Sequence, residues 1–226
     1  YGEMPHGNEE VWHIYRNYYF NCLRDVDRQL GLLLDALEES GEAENTIIVF
    51  WSDHGYRVGE KGTFAKHALW EEATKAPLIY AGPRIPSGKV VNDPVELLSI
   101  YPTLLELTGL PAYDRNEGKS LFALMNSEDR SKERYALTTY GMSNHAIRTK
   151  DFRYIRYEDG TEELYNHQND PNEWTNVAGD KAYRKTIARL RKLLPDVNVH
   201  WTKHSAYNFQ PYFTEQKKRS EEALRE

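Results

Sequence analysis

Between Glu9 and Glu39 the apolar residues Val11, Ile14, Tyr15, Tyr18, Tyr19, Cys22, Val26, Leu30, Leu33, Leu34 and Leu37 return at helical spacing. The charged residues Arg24, Asp25, Arg28, Asp35 and Glu38 fall mostly on the other face. This period predicts one long amphipathic helix, stopped by Ser40-Gly41. Cys22 lies inside the apolar series and is expected to be a buried structural cysteine. The period then changes. Ile47 to Trp51 is a short apolar run without alternation, which predicts a fully buried strand. Pro77 to Ala81 predicts a second strand, ended by the turn-rich stretch "GPRIPSGKV". A helix is expected from about Pro94 to Thr108, with Val95, Leu98, Tyr101, Leu104 and Leu105 on one face and a stop at Gly109. Helix, strand, loop, strand, helix in this order predicts an α/β core, a mainly parallel sheet flanked by helices.

Past Ser127 the pattern shortens. "RYALTTYG", "HAIRTKDFRYIRYED" and "TEELYNH" are β-branched and aromatic segments joined by tight turns such as Asp159-Gly160, and they predict a small antiparallel sheet. A helix from about Lys181 to Leu194 should pack on it through Tyr183, Ile187, Leu190 and Leu194. Beyond Pro195 the tail is polar and aromatic. The expected division is a core part over 1–126 and a small C-terminal subdomain with its tail over 127–226, joined by a polar link.

Composition narrows the function classes. The chain is 39% hydrophobic and 28% charged, a globular balance, and its aromatic share is weighted towards tyrosine, with 16 Tyr against 7 Phe and 5 Trp. A net charge of -6 argues against a nucleic-acid partner, which needs a basic face. No apolar run approaches the roughly 20 residues needed to cross a bilayer. The single cysteine excludes an internal disulfide and any cysteine-only metal cluster.

The candidate chemistry sits where the first strand stops. In "NTIIVFWSDHGYRVGEKGTFAKH" the apolar run ends at Ser-Asp-His-Gly, and a loop rich in glycine and charge follows. In open α/β sheets ligands gather beyond the carboxyl ends of strands. Asp53 and His54 fit two readings there. One is a turn cap beside an ordinary loop histidine. The other is a carboxylate and an imidazole converging, after a turn at Gly55, on a divalent cation. Lys66 likewise is either a solvated lysine or a compact charge for a sulfate or phosphate oxygen beside a metal.

Four blocks taken in order resemble a known family. They are the helix-to-strand run "DVDRQLGLLLDALEESGEAENTIIVFWSDHG"; G-E-x-G-x-x-x-K over Gly59 to Lys66; "APLIYAGPRIPSGKVVNDPVELLSIYPTLLELTGLP"; and "IRTKDFRYIRYEDGTEELYNHQNDPNEWTNVA", with its ELY and DP-x-E-x-x-N elements. From about Tyr15 to Leu194 the chain is similar to the C-terminal half of type I sulfatases of the alkaline-phosphatase-like superfamily, in particular iduronate-2-sulfatase-like and choline-sulfatase-like enzymes. The resemblance implies sulfate-ester hydrolysis with a formylglycine nucleophile. It also implies a divalent metal, calcium with magnesium as the alternative, of which Asp53 and His54 are two ligands. Lys66 matches the lysine that contacts the sulfate. Tyr56 and Arg57 match pocket-lining positions, and His67, Asn144 and His145 are further candidates for facing the substrate. The partners implied are a sulfated small molecule or saccharide, with neither nucleic acid nor membrane. A periplasmic, secreted or lysosomal place would be typical of such enzymes.

The family's nucleophile motif, C-x-P-S-R or C-x-P-T-R, is absent, since Cys22 is followed by Leu-Arg-Asp-Val. The early Asp-Asp metal pair is absent too. The chain therefore reads as a C-terminal part expected to be inactive alone and to need an N-terminal half. A phosphate- or phosphonate-ester hydrolase with the same SDHG corner, or a non-catalytic binding module, are the alternatives. A sheet with satisfied edges would favour the last.

Overall fold

The computed structural model describes residues 9–126 and 134–202, together with positions 214, 218 and 222. Of the polar link expected near residues 126–134, positions 127–133 lie outside the described residues. Helix α1 (Glu9–Glu39) matches its predicted span. Its end is fixed locally, the Ser40 hydroxyl donating to the Leu37 carbonyl at 2.6 Å while Gly41 takes the left-handed conformation.

Two expectations about this helix are corrected. Its apolar stripe is not buried among the described residues, with Tyr18 and Leu33 each more than two-thirds exposed. Cys22 is exposed rather than buried in a core. Periodicity marks which face is apolar but not whether anything lies against it. The N-terminal third of α1 does have a partner: Trp12 meets Phe64 edge-on at 5.3 Å, and the Arg16 Nε donates to the Val58 carbonyl at 2.7 Å.

Strand β1 (Ile48–Trp51) is half-buried rather than fully buried, and Trp51 is exposed. The chain then leaves the sheet through β2 (Arg57–Val58), β3 (Phe64–Ala65) and the one-turn helix α2 (Glu71–Thr74), and returns as β4 (Leu78–Ala81). β1 and β4 pair antiparallel, with Trp51 opposite Leu78 and Ile48 opposite Ala81. For these two strands the expected parallel order is not adopted. A parallel return needs a crossover helix long enough to span the sheet, and the four residues of α2 cannot do so. The excursion therefore begins and ends at the same end of the sheet, where the Ser52 amide meets the Pro77 carbonyl at 3.4 Å. Helix α3 (Ile100–Thr108) starts later than predicted, after a single tight turn over Leu97–Ser99, and closes on left-handed Gly109. Helix α4 (Phe122–Asn126) completes this part.

The small sheet is as predicted: β5 (Tyr135–Thr139), β6 (His145–Thr149), β7 (Phe152–Arg156) and β8 (Glu162–Asn166), antiparallel in sequence order. Helix α5 (Arg184–Arg191), preceded by a tight turn over Lys181–Tyr183, covers one face. There Ile147, Tyr154 and Leu164 pack on Ile187 and Leu190. Alternation sends Ala146, Ile155 and Tyr165 to the opposite face, against Leu69 and Trp70 of the excursion. No helix among the described residues is long and apolar enough to cross a membrane.

Candidate active site

Each residue of Ser-Asp-His-Gly has a physical task. The Ser52 hydroxyl donates to the His54 carbonyl at 2.9 Å and folds the chain back just after β1. Gly55 lets this turn lie on α2: its amide donates to the Ala73 carbonyl at 2.9 Å. A Cβ there would come within 2.1 Å of the Glu72 carbonyl oxygen and 2.6 Å of that of Lys75, so no other residue fits without moving backbone.

The turn brings Asp53 and His54 together. The His54 Nε2 lies 3.5 Å from the Asp53 Oδ2, with Asp53 open to solvent and His54 about two-thirds covered. The His54 Nδ1 lies 2.6 Å from the Gly55 carbonyl, which can only accept, so Nδ1 carries a proton and, in the neutral ring, the Nε2 lone pair faces the carboxylate. Two lone-pair donors facing one another suit a cation between them. Adjacent ligands with bonds of about 2.4 Å sit about 3.4 Å apart at right angles, close to the separation found here. The residues thus fit a divalent ion.

The hairpin after this turn carries the cations. Gly59 and Gly62 have positive φ, as has Lys61 between them, and the Glu60 carboxylate accepts the Val58 amide at 2.6 Å to close the bend. Ala65, at φ 82°, is a strained position immediately before Lys66. Arg57 is buried, its Nε donating to the Ala65 carbonyl at 3.1 Å and its guanidinium lying over the Trp70 ring at 5.3 Å. A second donor goes to the Thr63 hydroxyl. Arg57 therefore shapes the loop from within. Tyr56 is partly exposed and stacks on Tyr19 of α1 at 5.4 Å. Burial holds the His67 imidazole below its ordinary pKa, and the charges of Lys66 and Arg57 lower it further. Lys66, His54 and Arg57 thus all lie near the His67 ring.

Asn144 and His145 are placed differently. Asn144 staples its own turn, donating to the Met142 carbonyl at 2.9 Å and accepting from the Glu158 amide at 3.1 Å. His145 is buried, with Nδ1 2.9 Å from the Thr139 hydroxyl and Nε2 2.6 Å from Asn198 Oδ1. Both ring nitrogens are occupied inside the subdomain.

The sequence reading missed a cluster that ties the subdomain to the excursion. Arg148 and Arg153 stand opposite each other on β6 and β7, facing Leu69 to Glu71. Like charges so paired repel unless acids lie between them. Glu71 accepts from the Arg148 Nε at 3.0 Å and from Arg153, and Glu173 accepts from the Arg153 Nε at 2.6 Å. Glu71, His167 and Glu173 also have the spacing of a metal site, one ligand atom from each lying within 4.8 Å of the others. The hydrogen bonds argue against an ion: His167 accepts from Arg148 at Nδ1 and donates to Glu173 from Nε2, and both acids face guanidinium groups. This is an ion-pair network. Its signal in sequence was an arginine, Arg153, on the same strand face as Ile155.

Two family models match the chain, one described as sulfatase over residues 3–110 and one as N-sulphoglucosamine sulphohydrolase, C-terminal, over residues 59–200. The chain belongs to the sulfatase family, as a C-terminal region of the type I class. A sulfatase of Formosa agariphila is 57% identical over 212 residues, 94% of this chain and 42% of its own length. Among solved structures, a 2-O GAG sulfatase superposes with a TM-score of 0.75 at 30% identity, over 83% of this chain and 43% of that one. A second, solved with its substrate D-glucosamine-2-N,6-O-disulfate, gives 0.64 at 32% identity, over 76% of this chain and 38% of its own. A phosphonate monoester hydrolase from Silicibacter pomeroyi gives 0.68 at 26% identity, over 74% and 37%. The fold is that of the alkaline-phosphatase-like sulfatases. The chain spans about two-fifths of the length of the relatives it matches.

Proposed function

We propose that this chain forms the later part of a sulfate-ester hydrolase, contributing half of a metal cage and one anion clamp. The observation that carries the reading is the 3.5 Å approach of the Asp53 Oδ2 to the His54 Nε2 at the end of β1, with the His54 Nδ1 engaged by the Gly55 carbonyl. Asp53 and His54 would hold a divalent cation, calcium by family, which when bound lends its charge to a sulfate oxygen. Lys66 would place its ammonium against the sulfate and offset the negative charge that builds as the ester bond breaks. Arg57 supports this by fixing the hairpin that carries Lys66. His67, held neutral near pH 7 by burial and by its cationic neighbours, would offer a hydrogen bond without adding charge. The formylglycine nucleophile and the remaining ligands would come from outside these residues. Sulfated saccharides are the proposed substrate class, in keeping with the substrate named for one structural neighbour.

Two features speak against a stand-alone binding module. Among the described residues β1 and β4 pair only with each other, and much of α1 exposes its apolar stripe. A phosphonate-ester hydrolase is the second reading, since such an enzyme shares the fold. The test is an assay of the full-length enzyme on an aryl sulfate and an aryl phosphonate, with Asp53→Ala alongside. The sulfate should be preferred, and Asp53→Ala should lose about 100-fold or more and bind calcium more weakly. Preference for the phosphonate, or full activity without Asp53, would reject the assignment.

A further inference from the structure

Glu173 is nearly fully buried, at 1% exposure, in the DP-x-E-x-x-N element of the small subdomain. Its backbone is left-handed, with φ 58°. Asp170 holds this turn, accepting from the Trp174 amide at 3.0 Å and the Thr175 amide at 2.7 Å. Asn176 pins the far side, its Oδ1 accepting from the Leu164 amide at 3.0 Å. The element exists to present one carboxylate and one carbonyl inward. The carboxylate accepts from the Glu71 amide at 2.8 Å, at the first residue of α2, and from Arg153 and His167. The carbonyl accepts from Lys61, whose ammonium also lies over the rings of Trp70 and Tyr165, at 4.9 and 4.6 Å.

Glu173 therefore holds both segments that frame the candidate site. Through Glu71 it fixes α2, whose Ala73 carbonyl takes the Gly55 amide and whose backbone abuts Gly55. Gly55 directly follows the Asp53–His54 pair. Through Lys61 it fixes the Gly59–Gly62 bend that leads to Lys66. We propose that Glu173 is a positioning residue: from the subdomain its carboxylate sets the geometry of the Asp53–His54 corner by holding the Glu71 amide, while its backbone carbonyl anchors Lys61 beside the bend that leads to Lys66. This rests on the sulfatase reading for its catalytic consequence, while its structural part stands apart from it.

The experiment compares Glu173→Gln with Leu190→Ala in the full-length enzyme. Leu190, on the buried side of α5, packs on the other face of the sheet, so its truncation destabilises the subdomain without touching the network. Hydrogen exchange of the Gly55 amide and kcat on an aryl sulfate are measured at a temperature where all variants are folded. Glu173→Gln should speed Gly55 exchange about tenfold or more and lower kcat by about 10- to 100-fold with little change in KM. Leu190→Ala should change neither, and Glu173→Asp, which keeps the charge, should recover part of both. Wild-type exchange and kcat in Glu173→Gln would overturn the proposal, as would equal effects from Leu190→Ala. If the wild-type enzyme cleaves no sulfate ester, the sulfatase reading fails and exchange at Gly55 alone decides the positioning role. If Glu173→Gln does not fold, Glu173→Asp is read by the same criteria.

Discussion

Acidification should release a large, assignable share of the stability that joins the subdomain to the excursion, through Glu71. Burial by itself would raise its carboxyl pKa, but the charge of Arg153 and the hydrogen bonds from Arg148 and Arg153 outweigh it, lowering it from 4.5 to about 2. A carboxyl depressed in the folded state stabilises above its unfolded pKa and loses that contribution as pH falls through the folded one. The window therefore runs from about pH 4.5 down to about pH 2. The gap is worth about 3 kcal/mol, at about 1.4 kcal/mol per pH unit. At about 2–4 °C per kcal/mol for a chain of this size, that corresponds to about 6–12 °C in melting temperature. Thermal melts followed by far-UV circular dichroism, from pH 7 to pH 2.5, should show the loss. Glu71→Gln should be less stable at pH 7 and should fall less steeply with acid, the two curves converging near pH 2. The Glu162 carboxyl, too, is held below its ordinary value, burial being outweighed by its hydrogen bonds from Tyr154 and Arg191, and loses stability in the same sense, so the difference between the curves is the quantity to read. Parallel curves for wild type and Glu71→Gln would refute the reasoning.

Two further outcomes test the site itself. Lys66→Ala in the full-length enzyme should lower kcat on an aryl sulfate by about 100-fold or more while the melting temperature barely moves, because a charge-stabilising donor is lost and little packing with it; unchanged turnover would make Lys66 a solvated lysine. Gly55→Ala should cost about 1–3 kcal/mol in urea denaturation, since its Cβ would strike two backbone carbonyls, and should weaken calcium binding at Asp53 and His54; wild-type affinity in that variant would separate the corner from its support on α2.

The sequence determined those features that depend on residues close together in the chain. The span of α1 follows from its period and the Ser40-Gly41 stop, and the four strands of the small sheet follow from alternation and tight turns. The pairing of Asp53 with His54 was legible for the same reason: a strand end, a serine that folds the chain back and a glycine that allows close approach lie within four residues. Tertiary structure decided the rest. An apolar stripe does not state its partner, so the exposure of Cys22 and of much of α1 had no trace in the pattern. The antiparallel return of β4 depended on α2 being too short to cross the sheet. The network of Glu71, Arg148, Arg153, His167 and Glu173 joins residues about a hundred positions apart, as in the Glu71–Glu173 contact. A lone charged residue in a strand or turn gives no sign of the opposite charge it will meet, because burial becomes tolerable only once the fold supplies that partner.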